Sequence, residues 1–173
     1  SVLLDRNAVT YLEGHREIPC EEQGGIYFLN RNKLSLYKPD SNELTEVHQF
    51  DNVQDVYVAN DRLYILDRSS NITIYNLLTQ QEEKKLQYGD HASSIGADSK
   101  GRIYLAESNG NGDDYDLYLL SPEGTLLSQA LSEEAVYGFC GFDESNGNYY
   151  VDTYNNWRYW GYDHDMHLSL IHI

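Results

Sequence analysis

An apolar residue followed by tyrosine recurs along the chain at similar intervals. The four pairs are Ile26-Tyr27, Leu63-Tyr64, Ile103-Tyr104 and Tyr149-Tyr150. The second residues of these pairs are separated by 37, 40 and 46 positions. A period of roughly 20–50 residues is typical of repeat architectures, in which each unit buries its apolar face against the next. We therefore expect one domain, residues 1–173, built from four similar units.

Strands, rather than helices, account for the pattern inside each unit. The apolar residues alternate with polar ones or form short blocks rich in Tyr, Ile, Val and Leu, which is typical of strands. The segment Leu77–Gln87 has the polar composition of a helix, but its place in the repeat predicts a turn and a strand. The fourth unit is predicted to contain the strands Tyr137–Asp143, Asn148–Asp152, Trp157–Tyr162 and His167–His172.

Units of four strands and about 40 residues, repeated without helices, are typical of β-propeller blades. A β-sandwich with similar turn spacing is the alternative, but a sandwich gives no reason for the same landmarks to recur. We predict an all-β propeller of four-stranded blades. The four blades are approximately residues 15–50, 51–89, 90–132 and 133–173, and residues 1–14 are predicted to hold an extra edge strand.

The third and fourth units resemble the NHL repeat, which is found in six-bladed propellers. In the third unit, Ser94–Leu127, an aspartate precedes a turn glycine, the strand "RIYLAES" follows, and a Pro-Glu-Gly turn comes later. In the fourth unit, Asp152, Asn155-Asn156 and Arg158 match the family's D-x-x-N-N-x-R region. The resemblance, weaker in the second unit, implies a propeller fold and, for most members, the binding of proteins, peptides or glycans.

The number of blades in the assembled molecule stays open at this point. The four units could close as a four-bladed ring, form part of a larger and six-bladed propeller, or be completed by missing blades from a second chain. Residues 2–12 carry an apolar pattern that suits one more strand. If the fourth blade already has its own outer strand at His167–His172, that extra strand belongs to a blade outside this sequence.

The two cysteines, Cys20 and Cys140, fall on the predicted innermost strands of the first and last blades. In a closed four-bladed ring these blades are neighbours, so a disulfide there would restrict the unfolded chain across a long loop. The alternative is a pair of buried free thiols that behave as small apolar side chains. We also expect an extracellular or cell-surface location rather than a cytoplasmic one.

Charge excludes several classes of partner. The chain has 28 acidic and 12 basic residues, which gives a formal net charge of −16. Nucleic acids and anionic membrane surfaces attract clustered Lys and Arg, so we expect neither as a partner. No apolar run approaches the roughly 20 residues of a membrane-spanning helix. A basic or neutral partner is favoured by the charge.

The longest predicted loop, residues 107–116, is a candidate metal site. Asn109, Asn111 and Asp113 place oxygen-bearing side chains at alternate positions between glycines, a pattern that suits Ca²⁺. The twelfth position from Asn109 is Leu120, where an EF-hand requires glutamate. An ordinary solvated loop is the alternative. The sequence contains no motif for any other cofactor.

Two further segments are candidate ligand sites. Tyr154, Asn155, Asn156, Trp157 and Arg158 combine aromatic, amide and guanidinium groups, which are common in binding hot spots. Packing between blades would explain the same aromatic residues. Asp90 and His91 lie in the connection into the third blade, where the near-neutral pKa of an ordinary histidine would allow acid–base chemistry or metal binding.

The sequence predicts a non-enzymatic binding module whose loop face recognises a protein, peptide or glycan. The alternative is a fragment of a metal-dependent lactonase-like or hydrolase-like propeller of six blades. Such enzymes hold their metal with Glu, Asn and Asp from several inner strands, and we find no full set of these residues here. No nucleophile elbow, zinc-protease motif or phosphate loop is present in the sequence.

Overall fold

The described residues form fifteen β-strands, which are arranged as a series of antiparallel sheets. This computed structural model describes residues 16–20, 25–143, 145, 148–154 and 167–172. The first sheet contains β1 (Arg16–Cys20), β2 (Gly25–Asn30), β3 (Lys33–Lys38) and β4 (Glu43–Gln49). The second contains β5 (Val53–Ala59), β6 (Arg62–Asp67), β7 (Asn71–Asn76) and β8 (Gln81–Gln87).

The remaining strands form two more sheets. The third contains β9 (Ala92–Ala97), β10 (Ile103–Ser108), β11 (Tyr115–Leu120) and β12 (Leu126–Ser132). The fourth contains β13 (Ala135–Asp143), β14 (Asn148–Tyr154) and β15 (His167–His172). In every sheet the strands pair in chain order, so each sheet is a meander that matches one sequence unit. The prediction of an all-β chain in four repeated units is confirmed.

The outermost strands β4, β8 and β12 are the most exposed strands of their sheets among the described side chains. In β6 the four consecutive residues Leu63–Leu66 are buried, because both faces of the strand pack against neighbouring sheets. In β8 most residues are exposed, and the strand is accordingly polar. The helix-like composition of residues 77–87 is therefore that of a turn and an outermost strand, as the repeat predicts.

Among the described side chains, three core clusters hold the sheets together, and each cluster joins two successive sheets. The first joins the first and second sheets through residues such as Leu34 and Leu63. The second joins the second and third sheets, and the third joins the third and fourth. The inner strand β9 also lies between β5 and β13. Successive sheets that pack face to face in this way are the blades of a β-propeller.

The repeated tyrosine lies in these clusters. Tyr27, Tyr64 and Tyr104 are at most 2% exposed, whereas in the fourth sheet Tyr149, the first residue of its pair, is the buried one. The Tyr27 hydroxyl donates to the Leu77 carbonyl of the next sheet at 2.6 Å, and the Tyr149 hydroxyl donates to the Ala97 carbonyl of the preceding sheet at 3.2 Å. A buried tyrosine needs such a partner for its hydroxyl. The repeat is thus a packing feature between blades.

The fourth sheet differs from its prediction in strand order. His167–His172 was expected as the fourth and outermost strand, but β15 pairs directly with β14 and occupies the third position. The predicted strand Trp157–Tyr162 and the extra strand in residues 1–14 lie outside the described residues. Alternating apolar residues predict that a segment forms a strand, but they do not show which strand it pairs with, and the predicted position of His167–His172 in the sheet was wrong for this reason. No described strand therefore occupies the outermost, fourth position of this sheet.

Closure of a ring is not seen in the described part of the chain. No core cluster of the described side chains joins the first sheet to the fourth. The described residues also contain no helix long and apolar enough to cross a membrane.

Candidate functional site

The turns and interblade connections divide the molecule into two opposite faces. We call one the linker face; it consists of the residues between β2 and β3, between β6 and β7, between β10 and β11, and in the connections between sheets. We call the other the turn face; it consists of the remaining β-turns within each sheet. Hydrogen bonds join neighbouring segments on each face, such as Arg68 N to the Asn52 carbonyl at 3.0 Å on the linker face.

Ser70 holds two segments of the linker face together. Its hydroxyl accepts from the backbone N–H of Ala92 at 2.8 Å, and its carbonyl accepts from the N–H of Tyr88 at 3.3 Å. The Ser70 side chain is fully buried, and its φ of 61° lies in the left-handed region. A buried hydroxyl that satisfies a backbone N–H stabilises this connection because the N–H is otherwise hidden from water.

Glu107 organises the connection into the third sheet. One of its carboxylate oxygens, Oε1, accepts from the backbone N–H groups of Asp90, at 2.9 Å, and of His91. Two N–H donors on one carboxylate fix the backbone of this connection while leaving the Asp90 and His91 residues exposed. The structure therefore places the predicted residues Asp90 and His91 beside the start of the predicted 107–116 loop.

The loop between β10 and β11 is closed by its own hydrogen bonds. The Asn109 side-chain oxygen accepts from Asn111 N at 3.0 Å, and Asn109 N donates to the Asp114 carbonyl at 3.2 Å. Gly110 and Gly112 both have positive φ, at 81° and 65°, which the tight loop requires. Within the described ranges, no three His, Cys, Asp or Glu side chains lie together as a metal site needs. Calcium binding at Asn109, Asn111 and Asp113 stays a prediction.

The linker face is acidic. Its turns and connections carry six carboxylates against two arginines, Arg31 and Arg68, in the part of the chain that the structure describes. The carboxylates are Asp51, Asp90, Asp113, Asp114, Glu133 and Glu134. Charges of one sign on one face produce a potential that attracts oppositely charged partners and accelerates their association.

The predicted aromatic cluster lies largely beyond the described residues. Tyr154 is the last residue of β14, where its backbone pairs with Ala135 at the linker-face end of the sheet. Asn155, Asn156, Trp157 and Arg158 lie outside the described residues, so their role stays a prediction. Cys20 and Cys140 lie on the first strands of the first and fourth sheets, as expected, and a disulfide between them also stays a prediction.

On the turn face, the buried carboxylate of Asp98 is the centre of a dense network. Asp98 is 1% exposed. It accepts from the backbone N–H groups of Lys100 and Arg102, each at 3.0 Å, from Arg102 Nε at 2.6 Å, and from the Tyr104 hydroxyl at 3.1 Å. This network closes the turn between β9 and β10. The hydrogen bonds that close this tight turn explain an aspartate three residues before Gly101.

A cavity of about 370 Å³ opens on the turn face between the second and third sheets. Arg62 and Glu83 line it and form a two-pronged ion pair, with Nε to Oε2 at 2.7 Å and Nη2 to Oε1 at 3.2 Å. The hydrogen bond from Arg62 lowers the pKa of the Glu83 carboxyl below its ordinary value. The pair joins β6 to the outermost strand β8, and sequence spacing gave no indication of it.

Solved structures with this fold are propellers. The chain has a TM-score of 0.57 with U3-55K at 12% identity, over 82% of this chain and 47% of that one. It has a TM-score of 0.57 with BBS1N, solved in complex with ARL6DN, at 15% identity over 80% and 43%. BamB from Moraxella catarrhalis gives a TM-score of 0.56 at 10% identity over 79% and 39%. The chain therefore spans less than half the length of each of these proteins.

These similarities establish the propeller fold. No family model and no curated protein matches the sequence. The expected relation to propellers is confirmed at the level of fold, while the narrower assignment to the NHL repeat stays a prediction.

Proposed function

We propose that this chain is a non-enzymatic interaction module that binds a basic segment of a partner protein on its linker face. The observation that carries the proposal is the excess of carboxylates on this face, six against two arginines among the described turns and connections. Four of the carboxylates are exposed and two, Asp114 and Glu134, are half-buried. A propeller supplies a rigid support for such a surface, since its loops are held by packed sheets. Because a fold alone does not determine a function, the proposal rests on the charges of the linker face.

The linker face is organised before any partner arrives. Glu107 fixes the connection at Asp90 and His91, and Ser70 fixes the connection between the second and third sheets. A surface whose backbone is already ordered loses little conformational entropy on binding. Exposed carboxylates on an ordered backbone suit Lys and Arg side chains of a partner, and contacts of this kind contribute to specificity and to the rate of association.

Titration with a fluorescent lysine- and arginine-rich peptide would test the proposal. We expect binding that weakens as salt is raised, because exposed charges are screened within about 8–10 Å at physiological ionic strength. The double variant Asp51→Asn/Asp90→Asn should weaken binding at least threefold. The matched control, Asp40→Asn/Asp61→Asn, removes the same charge from the turn face and should leave binding unchanged.

Equal loss of affinity in both double variants would contradict the proposal, because it would mean that the peptide responds only to net charge. Binding that does not depend on salt would contradict it as well. A peptide that binds neither the original protein nor the control variant would show that the linker face does not recognise basic segments.

A further inference from the structure

The three described outermost strands differ in charge. β4 carries Glu43, Glu46 and His48, and β8 carries the consecutive charges of residues 82–85. β12 reads "LLSQALS" and contains no charged residue. Charged side chains on an edge strand oppose pairing with other chains, so β12 is the outer strand that lacks this protection.

The exposed surface of β12 is also apolar. Leu126, Leu127 and Leu131 are 41%, 54% and 57% exposed. Leu126 pairs with Leu120 of β11, and Leu131 pairs with Asp116. Asp116 and Leu120 lie four positions apart on one strand and so point to the same face of the sheet. Because paired residues point to the same side, Leu126 and Leu131 also share that face. The outer edge of β12 therefore has exposed apolar side chains beside backbone N–H and C=O groups that can pair with another strand.

No described strand pairs with the outer side of β12, which is the terminal strand of its sheet. An added strand on this side would form main-chain hydrogen bonds and would place alternate side chains against Leu126 and Leu131. β12 is seven residues long, which is enough for a segment of ordinary strand length.

The charges at the two ends of β12 decide between occupants. Glu123 lies just before the strand, with its side chain 72% exposed and one carboxylate oxygen 3.9 Å from Lys84 Nζ, and Glu133 and Glu134 follow the strand. If two copies of β12 paired antiparallel about Gln129, Glu123 of each copy would lie close to the acidic end of the other. Like charges placed opposite each other oppose pairing. A segment with basic residues at its ends meets no such repulsion and complements both ends.

We propose that the outer edge of β12 binds an extended segment of a partner protein as an added strand. The segment is apolar at alternate positions, uncharged in its middle, and carries Lys or Arg at both ends. This surface meets the linker face at Glu133 and Glu134, but its binding depends on main-chain pairing along β12 and not on Asp51 or Asp90, so either proposal can fail without the other.

The probe for this proposal is a synthetic peptide in which alternating valine and threonine residues are flanked by two lysines at each end. A second peptide has the same sequence with alternate backbone nitrogens methylated, which removes strand hydrogen bonds and keeps the side chains. We expect the first peptide to bind the full chain in fluorescence anisotropy, and the methylated peptide to bind at least tenfold more weakly.

The variant Leu126→Lys/Leu131→Lys should lower the affinity for the first peptide at least tenfold, because it places positive charge on the edge and removes two apolar contacts. The matched control is Leu44→Lys/Val58→Lys, which adds the same charge at two exposed apolar residues away from β12 and should leave the affinity unchanged. Both variants change exposed side chains, and circular dichroism would confirm that each keeps its fold. The linker-face variant Asp51→Asn/Asp90→Asn should change the affinity less than threefold, which separates this proposal from the proposed function.

Three results would overturn the proposal. The first is equal binding of the two peptides, and the second is full affinity in the variant Leu126→Lys/Leu131→Lys. The third is a dimer in sedimentation velocity that the same double variant abolishes, because the occupant of the edge would then be a second copy of the chain.

Discussion

Replacing Asp98 by alanine should destabilise the protein by about 3 kcal/mol. The substitution leaves the buried Tyr104 hydroxyl without its partner, which costs about 1–2 kcal/mol. It also removes the charged hydrogen bond from Arg102, worth roughly 1.5 kcal/mol at most here because this guanidinium is 29% exposed and water can replace part of the contact. The two backbone N–H groups add about 0.5 kcal/mol each, since the turn is partly exposed.

The sum is offset in part, because alanine does not carry the cost of burying a carboxylate. Asp98→Asn keeps the shape and one oxygen for the two backbone donors, so we expect about half the loss. Urea unfolding followed by fluorescence would measure both variants. A change of 3 kcal/mol corresponds to a fall in Tm of roughly 6–12 °C for a chain of this size.

The double variant Asp98→Ala/Arg102→Ala separates the ion pair from the rest of the network. We expect the two substitutions to be non-additive by about 1–2 kcal/mol, because each of them removes the same contact. A loss below about 1 kcal/mol in Asp98→Ala would refute the argument, since it would mean that the network adds little beyond what water supplies. Additive losses would show that the Arg102 contact is not a stabilising one.

Two other predictions concern buried aromatic residues. Burial raises the pKa of the Tyr75 hydroxyl to about 12, from an ordinary value of 10, so the folded state holds this proton more tightly than the unfolded state. The resulting stabilisation is complete below pH 10 and is lost as the pH rises toward 12. Urea unfolding across this pH range, followed together with tyrosinate absorbance, would measure the loss. An unfolding midpoint that does not change with pH would contradict this prediction. Gly96→Ala would bring its new Cβ against the Tyr149 hydroxyl and within 2.8 Å of Phe139 Cβ, so we expect a loss of about 1–3 kcal/mol in the same assay. Gly138→Ala, with no atom within 4 Å of the new Cβ, is the control, and equal losses in the two variants would exclude overpacking as the cause.

The repeat of the sequence predicted the sheets well because the same residues recur for the same physical reason. Tyr27 and its equivalents fill the space between blades, and polar turns follow them, so each sequence unit corresponds to one sheet. The order of strands in the fourth sheet was not predictable in this way. Both Trp157–Tyr162 and His167–His172 have strand composition, and composition carries no information on which of them pairs with β14.

The candidate site was predictable in position and not in contacts. Connections between sheets and the loops next to them had to share one face, which brought His91 near the 107–116 loop. The carboxylate that joins them, Glu107, lies sixteen residues along the chain from His91. A hydrogen bond across that separation depends on the register of β9 with β10, which no local pattern shows. The same holds for the pair of Arg62 with Glu83, twenty-one residues apart.

The core clusters lie between the sheets and not within them. The second and third sheets each contribute to two clusters, so a buried side chain in either sheet is packed by atoms from a neighbouring blade as well as from its own. A blade removed from its neighbours would expose both of its apolar sides to water. The cooperative unit of this protein is therefore the shared interface, and the stability of any one blade is set by how many neighbours it keeps.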